Sequence, residues 1–321
     1  MDWIGKYFKN KWDLNHNSGK KKPDISEILK LSRLTKVPHK AKLLSRLDMD
    51  DYIREDYYLD SEEFYKIPLT VLIPKRNIKK TPIISLHGHG GGGRLGVIGD
   101  RTDSDVAAAI DKYNYDYGLK LVKRGYTVFC PDSRGFGDSR SKEYSNAITS
   151  CSCRELSNLA LSLGLSLTGM MVFDVITLID YIKDYFLMDI TELSCIGFSG
   201  GGALTLYSSI IDPRIKNIII SGYMYGFKES LLELHGNCSC NYIPNMWLYY
   251  DMKDLASLIL AKNIFIESGD RDHLNGKSQI KNVLSQVENI KSPSNFVHKI
   301  YSGPHKFYGL DCFDWLSQLR H

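Results

Sequence analysis

The 321-residue sequence contains no apolar run that approaches the roughly 20 residues needed to span a membrane. Its first residues, MDWIGKYFKNKW, lack the continuous apolar core of a secretory signal. These two absences predict a cytoplasmic protein without a membrane span.

The sequence also has little excess charge of either sign. Its 41 lysines and arginines and 37 aspartates and glutamates leave a formal net charge of +4. The lysines are scattered, apart from Lys20 to Lys22 in a predicted loop. A net charge this small gives no reason to expect nucleic acid as a partner. We interpret the lysines as part of an ordinary solvated surface.

The cysteines do not suggest a disulfide framework, since their number, seven, is odd and the sequence shows no export signal. Two pairs have C-x-C spacing, Cys151 with Cys153 and Cys238 with Cys240. Either pair could ligate a metal, but structural zinc sites usually place two to four residues between paired cysteines. We therefore expect ordinary thiols and no bound metal, and the sequence gives neither pair a role.

The hydrophobic content of 43% allows a sizeable core, and we expect one main domain over residues 51–321. Residues 1–50 are predicted to form a helical extension packed on that domain. A possible apolar stripe in the extension consists of Trp3, Ile4, Tyr7, Phe8 and Trp12. The stripe could touch a membrane surface, but packing on the protein's own domain is the preferred interpretation.

The pattern of the main domain predicts an α/β fold with a mostly parallel sheet and helices on both faces. Residues 56–75 predict a β-hairpin. Six later strands alternate with helical segments: PIISLH, YTVFCPD, ELSCIGFS, IKNIIIS, KNIFIES and NFVHKIYS. Between them, GMMVFDVITLIDYI predicts a helix that buries Met171, Val175, Leu178, Ile179 and Ile182 against the sheet. Ligands of such sheets bind beyond the carboxyl ends of the strands, so residues following the strands are the candidates for a site.

One such strand end carries the motif G-x-S-x-G at Gly197, Ser199 and Gly201. The motif lies between an apolar strand and a helix-like segment, which is the context of a nucleophile elbow. A sharp turn holds the serine in strained geometry there, so the residues two positions away on either side must be small. A glycine-rich helix start used only for close packing is the alternative.

A serine nucleophile needs a base and a carboxylate that orients the base, and in this fold they follow in the order serine, acid, histidine. Asp270 and Asp272 follow one later strand, and His305 follows the last strand. His298 lies inside that last strand and is the weaker candidate for the base.

The run of glycines between Gly88 and Gly93 fits either a phosphate cradle or an oxyanion pocket. A dinucleotide cradle requires an acid at the end of the next strand about 20 residues on, and Asp132 lies about twice that distance away. An oxyanion pocket requires two backbone N–H groups that no side chain obstructs. We assign these donors to His89 and Gly200.

Together, HGHGGG, PDSRGFGDS, GFSGG, SGDRD and GPH resemble the α/β-hydrolase superfamily from about residue 50 onward. More narrowly, the chain resembles the dienelactone-hydrolase-like and acetyl-xylan-esterase-like branch, also in LALSLGLSLTGMMVFDVITLIDYI and CNYIP. In that branch a G-x-x-D motif carries the acid, and this maps onto Gly269 and Asp272. Dienelactone hydrolase itself uses a cysteine nucleophile, so its substrate is not implied by Ser199.

The resemblance and the motifs lead to the hypothesis of a serine carboxylesterase that hydrolyses short-chain esters through an acyl-enzyme and needs no cofactor. Ser199 would be the nucleophile, His305 the base and Asp272 the orienting acid. A thioesterase or small peptidase with the same triad is the alternative, and a non-catalytic binding protein would have no reason to keep all three residues. The sequence leaves open the physiological ester, the substrate-binding residues and the oligomeric state.

Two segments after strands could cover the predicted site, residues 139–167 and 222–262. The second contains the aromatic residues Tyr242, Trp247, Tyr249 and Tyr250. These aromatics could line a bounded pocket or belong to the core.

Overall fold

In the computed structural model, which describes residues 3–16, 19, 21–233, 237–274 and 295–319, a nine-stranded sheet runs through the molecule. The strands follow the spatial order β1-β2-β3-β5-β4-β6-β7-β8-β9. Their bounds are β1 Ala41–Asp48, β2 Tyr52–Glu62, β3 Tyr65–Pro74, β4 Ile83–Leu86, β5 Val128–Pro131, β6 Leu193–Phe198, β7 Ile215–Ser221, β8 Asn263–Gly269 and β9 Phe296–Tyr301.

The six strands predicted after residue 81 are β4 to β9, and all pairings among them are parallel. The predicted hairpin is β2 and β3, and β3 joins the parallel part through an antiparallel pairing with β5. The predicted α/β fold with a mostly parallel sheet is therefore confirmed. Because the strands from β4 to β9 run in one direction, their carboxyl ends meet at one edge of the sheet.

Helices connect the strands: α1 Trp3–Asn15, α2 Ile25–Ile28, α3 Arg94–Val97, α4 Ser104–Tyr113, α5 Tyr117–Val122, α6 Cys153–Ser162, α7 Leu167–Asp184, α8 Gly200–Ile211, α9 Met246–Tyr249 and α10 Met252–Ser257. A last described helix spans Cys312–Gln318. Short 3₁₀ turns lie at Leu31–Arg33, Gly137–Ser139 and Ser239–Asn241, and one π-helical stretch at Lys228–Glu233.

Two hydrophobic clusters cover the two faces of the sheet. Along β7, Ile218 and Ile220 belong to one cluster and Ile219 to the other, as the alternation of side chains along a strand requires. The first cluster includes α7, and all five residues of its predicted apolar stripe are buried there. The second cluster includes Val106 of α4 and Val122 of α5, so helices pack on both faces, as predicted.

The helical interpretation of residues 1–50 is wrong for β1, which adds an edge strand antiparallel to β2. Leu43, Leu44 and Leu47 have a helix-like spacing in the sequence, yet all three are exposed. Polar contacts across the strands, such as the ion pair of Arg46 with Glu55, accompany the backbone pairing. Backbone pairing with the free edge of β2 makes residues 41–48 a strand. This pairing is a tertiary contact, which the local spacing of the leucines does not reveal.

One residue of the apolar stripe predicted in α1 is buried against the main domain. Trp12 is buried, and its ring lies 5.2 Å from that of Trp247. Trp3 is 79% exposed, and Ile4, Tyr7 and Phe8 are also exposed. The expectation that the whole stripe packs on the domain is therefore wrong beyond Trp12.

No single helix among the described residues is long and apolar enough to cross a membrane. The pair α6 and α7 meets the criteria of length and composition only when taken together, and it bends by 97°.

Candidate active site

Ser199 lies in a sharp turn between β6 and α8, with φ 54° and ψ −117°. Such a positive φ is strained for any residue other than glycine. A Cβ at position 197 would collide with the carbonyl oxygen of Gly201, and a Cβ at position 201 would collide with that of Leu86. The two motif glycines are therefore required by the packing of α8 against β6 and β4, which leaves the serine at the tip of the turn.

The predicted base and acid come together although 33 residues separate them. Nδ1 of His305 lies 2.6 Å from Oδ2 of Asp272, and both side chains are buried. A carboxylate can only accept a hydrogen bond, so Nδ1 carries the proton and leaves Nε2 as the acceptor on the other side of the ring. This is the tautomer that a general base requires.

Asp270, the other candidate acid, has a different role in the structure. Its carboxylate accepts a hydrogen bond from the backbone N–H of Gly303 at 2.8 Å, and its side chain is half exposed. It therefore ties the loop after β8 to the loop after β9, and Asp272 is the aspartate that contacts His305.

A buried glutamate supports the loop that carries His305. Glu267 of β8 accepts hydrogen bonds from the backbone N–H groups of Tyr308, at 2.7 Å, and Gly309, at 3.1 Å. The Tyr308 hydroxyl in turn donates to the Pro304 carbonyl at 2.7 Å. These bonds satisfy backbone groups on both sides of His305 and so fix the position of its ring.

His298, the weaker candidate for the base, lies in β9 beside Ile266 of β8. Burial lowers its pKa to about 4, and its Nε2 has no hydrogen-bond partner among the described residues. It does not line the cavity that contains Ser199.

Ser199 and His305 line the same cavity, which has a volume of about 300 Å³. Its other walls include Tyr113, Phe198, Tyr225, Asn237, Asn241 and Leu274. The Phe198 ring lies 4.7 Å from that of His305. Gly222 leaves room for both rings, since a Cβ there would lie 3.1 Å from each.

The aromatic residues proposed from the sequence as possible pocket walls are not among the residues that line this cavity. Trp247 packs on Trp12, and the Tyr250 hydroxyl donates to the carbonyl of Pro23. Tyr113 and Tyr225 take the wall positions instead. No local signal distinguishes them, because their place depends on how the loops fold over the sheet.

The glycine loop after β4 packs directly against the serine turn. A Cβ at position 88 would lie 2.6 Å from the carbonyl oxygen of Phe198 and 3.0 Å from Cβ of Ser199. A Cβ at position 200 would lie 3.0 Å from the ring of His89. His89 and Gly200 are thus neighbours beside Ser199, as their predicted role as oxyanion donors requires, and that role stays a prediction.

Asp132, at the end of β5, anchors this glycine loop. Its carboxylate accepts backbone hydrogen bonds from Arg94 at 2.7 Å and Asp138 at 2.9 Å, and it pairs with the buried Arg94 guanidinium. A Cβ at position 93 or 137 would collide with it. The close approach of three segments to one carboxylate explains the glycines at positions 93 and 137.

The two C-x-C pairs, for which the sequence offered no role, meet beside this site. Atoms of His89, Cys153, Cys238 and Cys240 that could bind a metal all lie within 4.8 Å of one another. Hydrogen bonds with Cys151 and Cys153 lower the pKa of Cys238 to about 6, and those with Cys153 and Cys238 lower the pKa of Cys240 well below its ordinary value. Sequence reasoning missed this grouping because the pairs are far apart along the chain.

Comparison with known proteins agrees with the fold. A family model described as the Abhydrolase family matches residues 8–295. The chain is 25% identical over 249 residues to YtaP of Bacillus subtilis (strain 168), a protein named as a hydrolase by inference. The match covers 75% of this chain and 78% of YtaP.

Two solved structures have a similar fold at low sequence identity. Acetyl Xylan Esterase 1 from Thermoanaerobacterium sp. JW/SL YS485 superposes with a TM-score of 0.63 at 19% identity, and the match covers 96% of each chain. Glucuronoyl Esterase from Solibacter usitatus superposes with a TM-score of 0.58 at 14% identity, and the match covers 95% of each chain.

The two candidate acids predict different losses of activity. Asp272→Asn should lower kcat for an ester on the order of 10⁴-fold, because an amide at this position favours the wrong tautomer of His305. Asp270→Asn is the matched control, two residues away, and should lower kcat far less. Steady-state kinetics on both variants check this, and a larger loss in the Asp270 variant would contradict the assignment.

The anchoring role of Asp132 predicts an unequal effect on stability. Asp132→Ala leaves the buried Arg94 guanidinium without its buried partner and should cost about 3–5 kcal/mol of the free energy of unfolding. Asp138→Ala removes a half-exposed partner of the same guanidinium and should cost about 1 kcal/mol or less. Urea denaturation measures both values, and equal losses would show that Asp132 is not the anchor.

Proposed function

The chain belongs to the Abhydrolase family, and from that premise we propose that it is a serine carboxylesterase that hydrolyses short-chain esters through an acyl-enzyme. The observation that carries the proposal is the shared cavity. It brings the strained Ser199 together with a buried His305 that is hydrogen-bonded to Asp272.

Each residue has a defined step in this mechanism. The Ser199 hydroxyl attacks the ester carbonyl while Nε2 of His305 takes its proton. The backbone N–H groups of His89 and Gly200 stabilise the oxyanion of the tetrahedral intermediate. His305 then gives the proton to the departing alcohol, and a water molecule repeats the sequence to release the acid and restore Ser199.

Asp272 acts by holding the imidazole. Its buried carboxylate keeps Nδ1 protonated and stabilises the imidazolium that forms when His305 accepts the serine proton. The loops that Asp270 and Glu267 tie down keep this pair in place, so little reorganisation is needed during the reaction.

The size of the cavity supports small acyl groups. Its volume of about 300 Å³ is at the low end for ligand pockets, and rings or branched side chains form much of its wall. Two of the similar structures are named as an acetyl xylan esterase and a glucuronoyl esterase, and these names also support ester hydrolysis. A thioesterase or small peptidase with the same triad remains the alternative, and cytoplasmic location remains a prediction.

The serine mechanism predicts that Ser199→Ala leaves a folded protein with ester hydrolysis reduced on the order of 10⁴-fold or more. Only the oxyanion pocket and substrate binding would then contribute to the rate. Initial rates on a soluble acetyl ester, with circular dichroism as the control for folding, check this. Retention of more than about a tenth of the wild-type rate would exclude Ser199 as the nucleophile.

The cavity predicts a preference for short chains. Acetyl to butyryl esters should be hydrolysed with a higher kcat/KM than esters with acyl chains of about ten carbons, because the longer chain exceeds the bounded pocket. Matched thioester and amide substrates run beside this series distinguish the alternative hydrolases. A kcat/KM that rises steadily with chain length would contradict the pocket interpretation.

A further inference from the structure

Four side chains of the types that bind soft transition metals form a compact cluster beside the active site. Nε2 of His89 lies 3.5 Å from Sγ of Cys240 and 3.9 Å from Sγ of Cys153. With Sγ of Cys238, these four atoms all lie within 4.8 Å of one another. Three thiols and one imidazole thus converge on one point.

The separations agree with the geometry of tetrahedral zinc. Zinc–sulfur bonds of about 2.3 Å and zinc–nitrogen bonds of about 2.0–2.1 Å place sulfur and nitrogen about 3.6 Å apart and two sulfurs about 3.8 Å apart. The two nitrogen–sulfur distances are already close to the first value. Only small side-chain shifts are needed to place all four atoms around one ion.

The ligands come from three separate segments of the chain. His89 belongs to the glycine loop after β4, Cys153 begins α6, and Cys238 and Cys240 flank the start of the 3₁₀ turn Ser239–Asn241. That turn brings the sulfur atoms of Cys238 and Cys240 close together. The single residue between these cysteines therefore does not prevent both from binding one ion. A metal ion here would cross-link segments that lie 64 and 151 residues apart.

The composition of the cluster distinguishes a metal site from a disulfide. All seven cysteines are free thiols. A single disulfide would use two sulfurs and leave two of the four thiols here, counting the neighbouring Cys151, and the imidazole unexplained. One histidine and three cysteines are a common donor set of structural zinc sites. Four protein ligands fill the tetrahedron and leave no position for substrate, so such a site would be structural.

We propose that His89, Cys153, Cys238 and Cys240 bind one Zn²⁺ ion as a closed structural site that fixes one wall of the catalytic cavity. Binding replaces the thiol protons, which pass to solvent, and no group is oxidised or reduced. His89 and Cys238 both line the cavity, and His89 is also the predicted oxyanion donor. The ion would therefore hold the backbone of the oxyanion loop in place through the His89 ring without contacting substrate.

The metal content of the purified protein tests this directly. Protein prepared without chelators or a histidine tag should contain about one zinc ion per chain by plasma mass spectrometry. Cys153→Ser and Cys240→Ser should lose most of this zinc, whereas Cys312→Ser, a buried cysteine outside the cluster, should keep it. Equal zinc contents in the three variants, or a zinc-free wild-type protein that binds no added Zn²⁺, would overturn the proposal.

A second measurement on the wild-type protein does not depend on variants that fold. Chelation of the zinc should lower Tm, and added Zn²⁺ should restore it. Co²⁺ added to the zinc-free protein should give thiolate charge-transfer bands and the strong visible bands of tetrahedral cobalt. Weak octahedral bands, an unchanged Tm, or a disulfide within the cluster would overturn the proposal. Because neither metal content nor cobalt spectra require ester hydrolysis, a failure here is distinguishable from a failure of the proposed function.

Discussion

The tight turn at Ser199 is the constraint on which the rest of the site depends. It exists because α8 begins immediately after β6 and packs so closely on β6 and β4 that only glycine fits at positions 197 and 201. The strained backbone of Ser199 is maintained by the surrounding sheet and helix, which bury most of their residues. The glycine loop after β4 can then approach the serine from one side, because it also carries no side chain at position 88.

Parallel pairing brings the other members of the site to this turn. Ser199 follows β6, Gly222 follows β7, Asp272 follows β8 and His305 follows β9, and these four strands are consecutive neighbours in the sheet. Their carboxyl ends share one edge, so residues more than a hundred positions apart meet there. Buried carboxylates behind the loops, Asp132 under the glycine loop and Glu267 under the His305 loop, satisfy backbone N–H groups that would otherwise be left without partners.

Much of this arrangement could be predicted from the sequence, because its signals are local. The strands from β4 to β9 are short apolar runs, and the glycines around Ser199 report a steric need that any chain with this turn must meet. The choice between Asp270 and Asp272 could not be made from spacing alone, since it depends on which carboxylate points toward His305. Strand β1 and the grouping of His89 with three cysteines were missed for the same reason, because both depend on contacts between distant segments.

The central claim, that Ser199 is an activated nucleophile paired with His305, is tested most directly by trapping the covalent enzyme. A fluorophosphonate should react stoichiometrically with the wild-type protein, and peptide mass spectrometry should place the phosphonyl group on Ser199. His305→Ala should fold normally and react far more slowly, because the serine then lacks its base. No labelling of the wild-type protein, or labelling on a residue other than Ser199, would contradict the account.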